Sequence, residues 1–182
     1  FRFILPVNIC DDAYISFKTA LNLATGNGMV FNAGEPIYVI TSPLWVLLLA
    51  GLRTLVHDIV LAAKILGTFC EVLLLITLVN FSNKLLYGKR AGMIAALLLC
   101  TNPVFLLTSF SGMELPLYLL SIVLSMNLLS QKRFTMGLAV AAVAVWIRFD
   151  GFLVYMVVLA CSLYVQRRAI KTHPTATLYK YL

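Results

Sequence analysis

Residues Cys10 to Phe17 read CDDAYISF, and the adjacent carboxylates Asp11 and Asp12 are the groups in this chain best suited to chemistry. Two acids side by side cannot both ionise as easily as either could alone, so one of them is expected to hold its proton more readily and to serve as a base or a ligand. A capping role competes, because an Asp just ahead of Ala13-Tyr14-Ile15-Ser16-Phe17 can accept a hydrogen bond from a free first-turn N–H. Capping accounts for one Asp and leaves the other over. A second constellation is Arg148-Phe149-Asp150-Gly151, where mutual pairing of Arg148 with Asp150 competes with anion binding. Lys64 and Glu71 stand inside an apolar run on one helical face. Lys64 can snorkel outward or meet a phosphate; no partner for Glu71 is evident.

The elements that hold these charges are hydrophobic. Of 182 residues, 62% are hydrophobic and 12% charged, and mean hydropathy is +0.96. Soluble domains use about 45–50% apolar and about 25% charged residues, so the expected class is an all-α, polytopic transmembrane helical bundle. The four cysteines are scattered and show neither Cys-x-x-Cys nor Cys/His ligand spacing, which argues against a zinc site or a disulfide framework; they read as apolar filler. The net charge of +7 does not point to nucleic acid, because the basic residues sit at the ends of apolar runs rather than on one face.

In chain order, residues 1–10 read as the end of a first transmembrane helix whose beginning is missing, since the sequence opens at Phe1 and the stretch is too short to span. The chain is therefore expected to be a fragment. Residues 11–58 read as an outer loop with juxtamembrane helices. Ala13, Phe17, Ala20 and Ala24 recur at helical spacing, and Gly26-Asn27-Gly28 stops that helix. Met29 to Thr41 reads as an extended loop, and Ser42-Pro43 opens a helix from Leu44 to about Val56 as N-cap and first-turn residue. Five spans are expected in 59–166, at about 59–83, 91–110, 114–131, 134–148 and 151–166, with Asn102-Pro103 kinking the second. Residues 167–182 are expected to be a cytoplasmic segment.

Charge orients these spans. Lys84, Lys89 and Arg90, then Lys132 and Arg133, then Arg167, Arg168 and Lys171 mark one end of the runs, and Asp11, Asp12, Glu35, Asp58, Glu114 and Asp150 mark the other. The positive-inside rule puts the basic connections in the cytoplasm and the acids outside. That holds only if the 44–56 helix enters without crossing, as a re-entrant or juxtamembrane helix. Between Arg133 and Arg167 each hairpin arm has only about 16 residues at about 1.5 Å each, less than about 30 Å of hydrocarbon. The Arg148–Asp150 tip should therefore lie below the outer surface.

Asp11-Asp12-Ala13-Tyr14-Ile15-Ser16-Phe17, Gly26-Asn27-Gly28-Met29-Val30-Phe31-Asn32 and Thr41-Ser42-Pro43-Leu44-Trp45 together resemble the first outer loop of the GT-C superfamily of polyprenyl-phosphate-sugar-dependent glycosyltransferases, most densely its bacterial arabinofuranosyl- and mannosyltransferase members. Ser111-Gly112-Met113-Glu114 resembles the second outer loop. At the hairpin tip the chain departs from the family, which usually has Pro where Phe149 stands. The resemblance implies the conserved GT-C module over 1–182, in a bacterial inner membrane with its active site facing outward. It implies transfer of a sugar from a polyprenyl-phosphate donor to a glycan, lipid or protein acceptor of the cell envelope.

Such a reaction needs a base for the acceptor hydroxyl and positive charge for the departing phosphate. Asp11 or Asp12 would be the base of an inverting transfer. Lys18, Arg53, Lys64, Glu114, Arg148 and Asp150 would be the substrate-binding groups. Paired carboxylates can also hold Mg²⁺ or Mn²⁺, whereas an Asp base needs no metal, so the cofactor stays open. The rival readings are a transporter or lipid flippase, whose acids would bind a coupling ion nearer the midplane, and a non-catalytic lipid-binding subunit of the same fold.

Overall fold

A computed structural model describes residues 11–35, 37, 40–85 and 88–172, with side chains as far as Arg167. The expected end of a first helix over 1–10 and the stretch 173–182 lie outside the described residues. Among those described there is no strand and there are eight helices: α1 Asp11–Ala24, α2 Pro43–Arg53, α3 Ile59–Lys84, α4 Gly88–Thr101, α5 Pro103–Phe110, α6 Leu115–Ser130, α7 Phe134–Ile147 and α8 Gly151–Thr172. Of these, α3 alone is long and apolar enough to cross a membrane by itself. Helices α4 and α5 reach that length only together, and they bend by 64°. Pro103 has no N–H to donate. Asn102 leaves the helix there, and its side chain accepts from the Phe105 N–H at 3.0 Å, so the expected kink is a break with a fresh cap.

Several boundaries differ from the sequence-based expectation. Helix α1 begins at Asp11, so both carboxylates lie within its first turn, where the helix dipole favours them; neither stands ahead of Ala13 as a separate cap. Of the expected inner face, Ala13, Phe17 and Ala20 are buried and Ala24 is exposed. Helix α2 ends at Arg53 instead of near Val56. The Thr54 hydroxyl donates to the Gly51 carbonyl at 2.7 Å, and the Leu55 and Val56 N–H groups both turn back to Leu52. Ser42 precedes Pro43 as expected, but its hydroxyl makes no capping bond. Asp58 caps α3, accepting from the Val60 and Leu61 N–H groups at 2.8 and 3.2 Å.

Helices α1 and α2 pack together over the start of α3. Ala13, Phe17 and Ala20 meet Trp45, Val46 and Leu49, with Ile59 and Ala63 beneath. Short connections fold α3/α4, α6/α7 and α7/α8 into hairpins. Many buried positions are small or polar, including Gly67, Gly92, Ser125, Gly137, Ala141, Ala144 and Ser162, beside larger apolar ones such as Leu74, Tyr118, Ile147 and Val158, whereas Leu97, Leu98, Trp146, Leu153 and Val157 face outward. Small residues let helix backbones approach closely. At Gly92 an added Cβ would lie 2.8 Å from the Val79 Cα of α3.

One glycine ties the loop ahead of α6 to α1 and α3. Gly112, in the loop between α5 and α6, has φ +80, and a Cβ there would come within 2.9 Å of the Phe17 ring of α1 and 3.2 Å of Ala63 in α3. Strain at positive φ and overpacking both oppose a larger residue. Gly112→Ala should lower stability by about 1–3 kcal/mol, read as a lower midpoint of unfolding in mixed micelles. An unchanged midpoint would mean that the loop does not seat on α1.

Candidate functional site

Four separated segments converge on a cleft of about 480 Å³ lined by Asp12, Ser16, Thr41, Glu114, Arg148 and Asp150, with Ile15, Ile40, Met113 and Phe149 as its apolar part and Ile40 and Thr41 coming from the loop ahead of α2. Helix periodicity explains the α1 wall, because residues 12, 15 and 16 share a face at spacings of three and four. Asp11, about 100° further round the helix, is exposed and does not line the cleft. The loop from Ser111 to Glu114 supplies the second wall. The turn between α7 and α8 supplies the third, and Gly151 lets α8 start hard against α7, where a Cβ would fall 2.3 Å from the Ala144 carbonyl oxygen.

Arg148 is the hub. Its Nη1 donates to Glu114 Oε1 at 3.0 Å and its Nε to Asp150 Oδ1 at 3.0 Å. The guanidinium also lies over the Tyr118 ring, 5.7 Å from its centroid. The two carboxylates differ in setting: the Glu114 side chain is 7% exposed and that of Asp150 is 51% exposed. Tyr118, Ala144 and Ile147 form the apolar floor, with Leu44, Leu115 and Val154 packed against it. The expected pairing within the tip is therefore present, and it is joined by a partner from the second loop that the sequence did not indicate. The guanidinium stays cationic throughout the physiological range.

The remaining candidates lie elsewhere. Lys18 donates to Asn32 Oδ1 at 2.7 Å and stands 4.0 Å over the Phe31 ring. Asn22 donates to the Val30 and Phe31 carbonyls at 2.9 Å each. Together they hold the loop after Gly28 against α1, which is a structural use of Lys18. Arg53 lines a separate hollow. Lys64 is half-buried on α3 and is not among the cleft residues. Glu71, whose partner could not be read from sequence, accepts from the Ser109 hydroxyl of α5 at 3.2 Å. Cys70 is buried, Cys100 partly buried and Cys161 exposed, in keeping with apolar filler for the first alone.

No protein family, curated protein or solved structure matches this chain. What the cleft can do follows from its own groups. Asp12 is an exposed carboxylate able to take a proton. Arg148 has its remaining Nη2 donors without a partner among the described residues, and such a fork suits a phosphate oxygen. Three carboxylates against one guanidinium leave the cleft formally anionic. Among the described residues no three His, Cys, Asp or Glu side chains converge to hold a metal ion.

Proposed function

We propose that this chain is the substrate-binding part of a polytopic membrane glycosyltransferase of GT-C type, working on a polyprenyl-phosphate sugar from the outer face. The observation that carries the reading is the convergence of Asp12, Glu114, Arg148 and Asp150 from three chain segments in one cleft. A volume of about 480 Å³ falls in the range of small-molecule sites, about 300–1,000 Å³. Helices α6 and α8 start at the cleft and α7 ends there, so Lys132, Arg133 and Arg167 fall at the far end of the bundle. The positive-inside rule then turns the cleft outward. Large apolar side chains face outward along α3, α4, α5, α7 and α8, which suits a lipid surrounding. The resemblance of the Asp11–Phe17 stretch to the family's first outer loop adds to this.

In that reaction the Asp12 carboxylate takes the proton of an acceptor hydroxyl, whose oxygen attacks the anomeric carbon from the face opposite the phosphate. The bond from that carbon to the phosphate oxygen breaks, and the lipid phosphate leaves with the electron pair. Arg148 answers the charge that develops on it. Glu114 and Asp150 hold the guanidinium in place, and binding groups on rigid neighbours gain from such support.

Two experiments test the reading. In a background without native cysteines, Asn27→Cys should react with an impermeant thiol reagent from outside and Lys89→Cys should not; the reverse pattern would put the cleft in the cytoplasm. The full-length protein in proteoliposomes should then consume polyprenyl-phosphate pentose or hexose and give a product of inverted anomeric configuration. A second reading, an ion-coupled transporter, is favoured by Glu71 alone, which stands midway along α3. Solute uptake driven by an ion gradient, without sugar transfer, would select it.

A further inference from the structure

The hollow that holds Arg53 lies at the far end of the α1–α2 pair from the cleft. Helices α1 and α2 both begin beside the cleft, at Asp12 and just after Thr41, and both end at the hollow, whose lining is Leu21, Ala24, Thr25, Arg53, Thr54 and His57. Its volume is about 240 Å³ and no carboxylate lines it. The nearest acid in sequence, Asp58, has its Oδ1 committed to the Val60 and Leu61 N–H groups. The Nε of Arg53 is shut off from solvent and has no hydrogen-bond partner among the described residues. A buried donor left unmatched is unfavourable, and a guanidinium is built to meet a phosphate with two parallel bonds.

The helices beside the hollow carry exposed apolar side chains. Leu55, next to Thr54, is 78% exposed, and Leu47 and Leu48 on α2 and Leu61 and Ile65 on α3 also face outward. A cationic hollow on helices with outward apolar side chains matches a lipid whose phosphate sits inside and whose chains lie along α2 and α3. We propose that this hollow binds the phosphate of an anionic phospholipid headgroup through Arg53, with the Thr25 and Thr54 hydroxyls and His57 around it. It is a site distinct from the cleft, and it anchors the α1–α2 pair to the leaflet. The inference rests on α2 lying at the membrane interface, but the two fail separately: loss of the Arg53 effect leaves the thiol-labelling pattern unchanged.

The test uses the whole chain in phosphatidylcholine mixed micelles, with phosphatidylglycerol added at constant total lipid and Tm followed by intrinsic fluorescence. Wild type and Lys89→Gln, a control at the basic end, should gain Tm as phosphatidylglycerol rises. Arg53→Gln should lose that gain, and Arg53→Lys, which keeps the charge but not the forked donors, should lose most of it. Inorganic phosphate at the same concentration should give no shift. Equal gains in wild type and both Arg53 variants overturn the site, as does a wild type indifferent to phosphatidylglycerol. A shift with inorganic phosphate as large as with lipid overturns the lipid assignment in favour of a free anion. If Arg53→Gln does not fold, Arg53→Lys against wild type carries the same comparison.

Discussion

Asp12→Asn should cut sugar transfer by roughly 10²–10⁴-fold, the usual contribution of a positioned general base, while Asp11→Asn stays near wild type. The prediction is asymmetric because α1 turns the two adjacent carboxylates to different faces: Asp12 shares the cleft with Ser16, and Asp11 does not line it. Asn is close to Asp in size and serves about as well at a helix start, so neither change should unfold α1. Initial rates at saturating acceptor, beside donor binding to the same preparations, separate chemistry from affinity. Donor binding should be largely retained in Asp12→Asn. Equal loss in both variants would show that the pair acts as one unit, and full activity in both would end the catalytic assignment and leave helix-dipole stabilisation as the account of this stretch.

The second large effect concerns Arg148. Removing it as Arg148→Ala leaves Glu114, whose side chain is 7% exposed, without its cation. Breaking a fully buried pair typically costs about 3–5 kcal/mol. Arg148 is 37% exposed, so solvent screening brings the expectation down to about 2–3 kcal/mol. Asp150→Ala removes the wetter partner, 51% exposed, and should cost at most about 1 kcal/mol. The double variant Arg148→Ala with Glu114→Ala should recover stability relative to Arg148→Ala alone, because no stranded carboxylate remains, yet it should stay inactive. Recovery of both stability and transfer would show that Arg148 serves only the fold. Additive losses would show that the two residues are not coupled.

Much of the helical frame was legible because its boundaries are marked by residues with local physical effects. Helix α3 runs 59–84 where 59–83 was expected, and α7 runs 134–147 where 134–148 was expected, since charge at Lys84 and Arg148 ends each apolar run. Pro103 broke α4 from α5 where a kink was foreseen, because a missing N–H acts whatever the surroundings. The end of α2 was misread by a few residues, as the choice there rests on a single hydroxyl, Thr54 to Gly51, that hydropathy does not register. The site was half legible. Pairing of Arg148 with Asp150 needs only a step across Phe149, whereas Glu114 meets Arg148 from 34 residues away, through the packing of α6 on α7. Lys18 was grouped with the substrate-binding charges. Its actual neighbours, Asn32 and Phe31, arrive by a loop whose path depends on Gly28 at φ +83.

Helices α6 and α7 are 16 and 14 residues long, about 24 and 21 Å at about 1.5 Å per residue. On the proposed membrane function, a bilayer with about 30 Å of hydrocarbon would meet this hairpin with a hydrophobic mismatch, which thinning of the surrounding lipid would relieve. The leaflet beside this hairpin would dip towards Arg148, so a phosphate would reach the cleft by sliding along a lowered headgroup plane, its prenyl chain never leaving the lipid. For the proposed transferase, membrane thickness would then be a determinant of turnover: bilayers of shorter acyl chains should suit it, and thick, saturated ones should hold donor and guanidinium apart.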